Sequence, residues 1–239
     1  MNRDIIVCGD THAYWGPLNQ LINRRKPKLI LQVGDFGWWP RLHDRTEINI
    51  YGKRKRWNQY GIKNPETEIL WCPGNHEDWE ELDLRGEFSE VMPRVYYMPR
   101  GSTYTLDDDR VVLFVGGGLS IDKHLRTMGI DWFPQEMVPA SILYKMEEKN
   151  LRKVDIVISH TCPFEFNSGL NSKMPYIGWE HKFHDSSQEV LSEVLNTYKP
   201  VLWYFGHFHV RAEGHYKLTN TRWFALSDIP NAGWWRYLS

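Results

Sequence analysis

The sequence predicts an α/β fold, and three observations predict it. Apolar runs rich in β-branched residues recur along the chain. Helical patterns lie between several of them. Nearly every run stops at a polar residue able to hold a metal. In chain order the runs are "DIIVCGD", "KLILQVGD", "EILWCPGN", "RVVLFVGGG", "DIVISH" and "VLWYFGH". Continuous apolar runs of this length read as strands buried on both faces. The segment "GPLNQLINRRKP" before the second run and "SSQEVLSEVLNTYKP" before the sixth carry helical periodicity. Strands alternating with helices imply sheets covered by helices. Residues 163–184, rich in Gly, Pro, Asn and aromatics without periodicity, read as a long loop near an active site. No repeat, low-complexity tract or Pro/Gly/Ser linker divides the 239 residues, so one domain over 1–239 is expected.

Bulk properties narrow the function classes. The formal net charge is -1, so global charge names no partner, and a nucleic-acid binder would need a local basic patch. Mean hydropathy is -0.54, and no apolar run approaches the ~18 residues of a membrane span. The start, "MNRDIIVCGD", lacks the features of a signal peptide, so a cytoplasmic protein without membrane association is expected. Cys8, Cys72 and Cys162 are an odd number with no close pair, which argues against a disulfide framework. Buried apolar cysteines are the favoured reading over zinc thiolates.

The strand ends carry the chemistry. The first run ends at Asp10, with His12 two residues on. The second ends at Asp35, the third at Asn75 and His76, the fifth at His160, and the sixth at His207 and His209. In open α/β sheets, ligands bind outside the carboxyl ends of strands, so these residues would converge. Two Asp, one Asn and, His76 apart, four His suit Mn²⁺, Fe or Zn²⁺ better than Ca²⁺ or Mg²⁺ alone. Seven donors exceed one tetrahedral site but suffice for two metals sharing a carboxylate. A lone Asp after a strand is more often a turn former or helix cap, and a lone His is more often solvated. Five such strand ends in succession, flanked by Gly9, Gly34, Gly74 and Gly206, outweigh that reading.

The ordered set "GDTH", "GDFG", "GNHE", "SH" and "GHFH" resembles the calcineurin-like metallophosphoesterases, from Asp10 to His209. The resemblance implies a four-layer αββα sandwich with two divalent metals at the strand ends. Mn²⁺ suits them best, with Fe, Zn²⁺ or Ni²⁺ as alternatives. It assigns Asp10, His12, Asp35 and His209 to one metal. It assigns Asp35, Asn75, His160 and His207 to the other, with Asp35 bridging. It implies hydrolysis of a phosphate ester by a metal-bridging hydroxide, with His76 stabilising the transition state or protonating the leaving oxygen. The segment "GGGLSIDKHLRTMGIDWFPQE" resembles bacterial and phage-type members and, more distantly, lariat-debranching enzymes.

Within that segment Lys123 and Arg126 read either as phosphate ligands or as a local ion-pair network with Asp122. Two positions depart from the family pattern. Trp38 stands where an acid often orients the catalytic His, which leaves the partner of His76 open. Ala13 stands where Gly is frequent. The stretch "YGKRKRW" (51–57) could track a polynucleotide, with a solvated helix face favoured instead. Trp38 and Trp39 in "GDFGWWP", and the segment "GWEHKFH" (178–184), are candidates to line a pocket mouth. A phosphodiester is the expected substrate, nucleic acid or cyclic nucleotides included. The alternatives are a phosphomonoesterase and a non-catalytic scaffold on the same fold; a scaffold is disfavoured because all eight site positions are intact.

Overall fold

The computed structural model describes residues 2–42, 48–50, 53–55, 61–63, 66–86, 88–171 and 184–239. The chain begins with β1 (Asn2–Cys8), α1 (Trp15–Arg25) and β2 (Leu29–Gln32), followed by β3 (Ile48–Ile50) and β4 (Lys53–Lys55). Next come β5 (Glu68–Trp71), α2 (Trp79–Arg85), β6 (Ser89–Met92), β7 (Val95–Tyr97), β8 (Ser102–Thr105) and β9 (Val111–Val115). The remaining elements are α3 (Ser141–Glu148), β10 (Ile156–Ser159), α4 (Asn167–Asn171), α5 (Ser186–Tyr198), β11 (Leu202–Phe205), β12 (Ala212–Tyr216), β13 (Thr221–Ala225) and β14 (Trp235–Leu238).

Two six-stranded sheets form, in the orders β14-β1-β2-β5-β7-β6 and β12-β13-β11-β10-β9-β8. Their plans match. Four parallel strands make each centre, and an antiparallel strand closes each edge. All six runs read from the sequence are strands, and all lie among the central ones.

Side-chain alternation explains the layering. In β1, Ile5 and Val7 face the other sheet while Ile6 and Cys8 face outward; in β11, Leu202 and Tyr204 face inward while Trp203 and Phe205 face outward. Register aligns these residues into rows. Ile6, Ile30, Ile69 and Val95 form an outward row on the first sheet, against which Leu18, Ile22 and Leu82 of the helices pack. Leu113, Val157, Trp203 and Trp223 form the matching row on the second sheet, covered by Ile142, Leu170, Leu191 and Leu195. Phe114, Ile158, Tyr204 and Phe224 form an inner row that meets Val7, Leu31 and Leu70 between the sheets. The order is helices, sheet, sheet, helices. Each fully buried aliphatic side chain in these rows contributes about 1.5–3 kcal/mol.

The register also positions the site. Cys8, Gln32 and Trp71 share the last rung of the first sheet's parallel centre, so the segments that follow them leave from one edge. On the second sheet, His160 and Gly206 directly follow β10 and β11.

Some expectations change. Residues 164–171 are helical, a 3-10 turn followed by α4, with Phe166 and Leu170 buried in the core, so only part of 163–184 can be loop; 172–183 lie outside the described residues. The backbone of Lys53–Lys55 is a strand paired with β3, not a helix face; Tyr51, Gly52, Arg56 and Trp57 lie outside the described residues. The three cysteines are free and buried, as read. Among the described residues no helix is long and apolar enough to cross a membrane.

Candidate metal centre

Asp10 follows β1, and its carboxylate accepts the backbone N–H of His207 at 3.0 Å, tying the first sheet to the second. Asp35 follows β2, and its carbonyl accepts the N–H groups of Thr11 and His12 at 3.0 and 2.7 Å. His12, Asp35, His207 and His209 all have positive φ, 45°, 51°, 65° and 52°. Non-glycine residues in that region cost on the order of 1–3 kcal/mol each and persist only where surrounding contacts over-determine them. Here the contacts are visible. The buried Glu77 carboxylate accepts N–H groups from Phe36, Gly37 and Trp38 and holds the loop after Asp35. Ser227 Oγ donates to the His209 carbonyl at 2.9 Å.

Two of the flanking glycines, Gly74 and Gly206, serve close approach, whereas Gly34 has a left-handed φ of 108°. A Cβ on Gly74 would lie 2.0 Å from an Asp35 carboxylate oxygen, and one on Gly206 would lie 1.9 Å from an Asp10 carboxylate oxygen. Both carboxylates therefore press against bare backbone.

Two groups of donors result. In the first, ligand atoms of Asp10, His12, Asp35 and His209 all lie within 4.8 Å of one another, a set that could hold a metal ion. His209 Nε2 is 3.0 Å from Asp10 Oδ2 and 3.3 Å from His12 Nε2, and His12 Nδ1 is 3.7 Å from Asp35 Oδ2. In the second, Asn75 Oδ1 is 2.8 Å from His160 Nε2 and 3.0 Å from His207 Nδ1. The other Asp35 oxygen, Oδ1, is 3.4 Å from His160 Nε2. His160 Nδ1 lies 3.1 Å from the Val33 carbonyl, which can only accept. The proton therefore sits on Nδ1, and Nε2 turns a lone pair toward Asn75 Oδ1 and Asp35. Acceptors facing acceptors in a buried site suit a cation.

The electrostatics agree with that fit. Burial raises Asp10 above the usual carboxylate range and pushes Asp35 up to about 7. Burial opposes the His209 cation, but its hydrogen bond to Asp10 and the Asp10 charge override this and raise it to about 9. Burial lowers His160, and burial followed by the charges of His160 and Arg126 lowers His207 well below the ordinary imidazole value. Two buried carboxylates are costly without a cation, and a divalent ion would reverse that cost.

His76 lies apart from both groups, beside them. Its backbone N–H donates to Asp35 Oδ1 at 2.8 Å, and its ring stands edge-on to His12 with centroids 5.3 Å apart. Its Nε2 faces the Arg126 guanidinium. Burial, then Arg126, holds its pKa well below the ordinary value.

The calcineurin-like phosphoesterase family model matches residues 3–211. The chain belongs to this family. A curated relative, the lariat debranching enzyme of Schizosaccharomyces pombe, is 27% identical over 223 residues, which is 86% of this chain and 48% of the relative. The chain thus spans about half the length of that relative. Among solved structures, TT1561 of Thermus thermophilus matches with a TM-score of 0.50 at 12% identity, covering 94% of this chain and 88% of that one. That likeness concerns the fold.

In this member of the family the seven strand-end donors come together, and His76 and Arg126 come with them. Arg126 is paired with Asp122 through Nε and Nη2, as the ion-pair reading expects, and also faces His76. Lys123 does not join that pair; its ammonium lies 5.9 Å from the Trp132 ring centroid. Trp38 and Trp39 are buried in the outer core of the first sheet, so they are not an open pocket mouth. Of "GWEHKFH", 178–183 lie outside the described residues. Ala13 has φ 59°, a left-handed conformation that favours glycine. The sequence reading missed Glu77, Ser120 and Glu136. Glu77 closes "GNHE", and an acid inside a metal motif was the one available signal.

Proposed function

We propose that the chain is a phosphodiesterase working with two divalent ions, one in each donor group, with Asp35 shared between them. The observation that carries the reading is the position of Asp35, whose two carboxylate oxygens face different groups. Such ions, once bound, supply a Lewis acid and a hydroxide at neutral pH. Mn²⁺ suits the mixed imidazole and oxygen donors, with Fe, Zn²⁺ or Ni²⁺ as alternatives. His76 stands beside both groups, where it can meet the leaving oxygen. Among the described residues, Arg126 is already paired with Asp122, and the Lys123 ammonium stands over the Trp132 ring. A monoester dianion needs an uncommitted cation beside the metals; a diester, with one charge, does not. That favours diesters. The likeness to a lariat debranching enzyme supports a phosphoesterase of that kind.

The test is a Mn²⁺-supplemented screen of bis-p-nitrophenyl phosphate, p-nitrophenyl phosphate, cyclic nucleotides, and single- and double-stranded nucleic acid. Diesters are expected to be cleaved with the higher kcat/KM. A monoester preference overturns the diester reading. Metal binding without hydrolysis of any substrate supports a scaffold instead.

A further inference from the structure

Asn75 poses a problem that its own skeleton cannot solve. The two ends of its amide are nearly the same size, and only one is a metal ligand. Turned the wrong way, the NH₂ would donate to the His160 Nε2 lone pair and close the second group against a cation. We propose that Ser120 and Glu136 are positioning residues that hold the Asn75 carbonyl oxygen toward His160 and His207. This rests on the two-metal reading above.

Hydrogen-bond direction carries the inference. The Glu136 carboxylate accepts from the Ser120 backbone N–H at 2.7 Å and from Ser120 Oγ at 2.6 Å. The hydroxyl has one proton and gives it to Glu136. Its lone pair must then accept, and the donor is Asn75 Nδ2 at 2.9 Å. With Nδ2 held there, Oδ1 faces the second group. A flipped amide would set its oxygen against the hydroxyl's lone pairs.

All three residues are buried, Asn75 at 3%, Ser120 at 1% and Glu136 at 0% exposure, so water does not compete for these bonds. Glu136 is itself anchored. Its carbonyl accepts from Gly118 N at 3.0 Å and Arg100 Nη2 at 2.9 Å, while Arg100 Nε donates to Gly116 O at 2.8 Å and the guanidinium lies over Trp79. The relay therefore begins in the packed core and ends on the ligand.

Glu136→Gln is the sharpest probe, because it keeps the shape and breaks the direction. If its oxygen takes the Ser120 N–H, its NH₂ donates to Oγ, and the hydroxyl proton loses its acceptor and is free to turn to Asn75, which would reverse the amide. If its oxygen takes the hydroxyl, its NH₂ meets the Ser120 N–H, donor against donor. Ser120→Ala removes the relay atom, and Ser120→Thr retains the hydroxyl. Mn²⁺ binding is measured by calorimetry and metal analysis on wild type and all three variants, alongside melting of the metal-free proteins. Wild type is expected to bind two equivalents. In Glu136→Gln and Ser120→Ala the first should bind as in wild type, while the second weakens by ~10–100-fold, the usual cost of losing a ligand's supporting partner. Activity lost at low Mn²⁺ should return at high Mn²⁺, and Ser120→Thr should restore the second isotherm. A purely structural staple would lower the melting temperature and leave the two equivalents equally affected; that result overturns the inference. So does folded Glu136→Gln or Ser120→Ala protein that binds the second equivalent like wild type. A wild type that binds one equivalent overturns the two-metal reading itself, and is read before any variant.

Discussion

On one side of Asp35 stand Asp10, His12 and His209; on the other stand Asn75, His160 and His207. The first side is charged. It holds a second buried carboxylate, and three of its four residues, counting Asp35, sit at positive φ. The second side is neutral apart from Asp35, and His207 alone among its other members has a positive φ. Its donors are set by the hydrogen bonds that His160 Nδ1 gives to the Val33 carbonyl and Asn75 Nδ2 gives to Ser120 Oγ. The difference teaches that two routes lead to a cation site. One concentrates charge and holds it with strained backbone. The other aims neutral lone pairs by fixing the far end of each side chain. The charged side should bind its ion first and more tightly.

The largest expected effect removes what both sides share. Asp35→Asn keeps the shape but deletes the charge between the groups. Activity on bis-p-nitrophenyl phosphate should fall by roughly 10³-fold or more, equivalent to about 4 kcal/mol of lost electrostatic stabilisation. Metal content should fall as well. Full activity with two equivalents retained would break the comparison at its centre.

His76→Ala should spare both sides and damage the chemistry. Two equivalents of metal should remain. On alkyl esters, whose leaving oxygen needs a proton, the loss should be ~10²–10⁴-fold. Nitrophenyl esters should suffer less, since nitrophenolate leaves without help. Equal loss on both substrate types would exclude a proton-donating role.

The smallest effect sharpens the contrast through pH. A metal must displace the proton from His209, raised to about 9, and from Asp35, raised to about 7. Mn²⁺ affinity of the first equivalent should therefore rise with pH between 7 and 9, with proton release visible by calorimetry in buffers of different ionisation enthalpy. His160 and His207 are pushed downward and already neutral there, so the second equivalent should respond weakly. The same shifts act on metal-free stability. The folded protein holds these two protons more tightly than the unfolded chain. Their contribution is thus fully present below the ordinary values, 3.8 for Asp35 and 6.5 for His209, and is lost as pH climbs past about 7 and about 9. A first equivalent whose affinity is flat across pH 7–9 would remove the electrostatic half of the comparison.

The sequence by itself determined six of the eight central strands and placed seven metal-ligating side chains at strand ends. Those signals are local: a continuous apolar run, then glycine and a ligand-forming residue. Ile5 to Asp10 or Leu202 to His207 announce themselves without any partner. The edge strands were not legible. β14 pairs with β1 across most of the chain, and β6 is a short run of mixed polarity, so no local pattern marks either. Trp38 could be read as a pocket wall or as core, and only the packing of the first sheet buries it. The basic stretch has no periodicity that separates a ribbon from a helix, and its pairing with Ile48–Ile50 decided that. The same holds for the polar contacts around the site. Glu77 reaches the N–H groups of residues some forty positions away, Arg126 reaches His76, and Glu136 reaches Asn75 through Ser120. Periodicity tells which face a residue takes. A hydrogen bond depends on distances of a few tenths of an ångström between groups that only the packing of two sheets brings together.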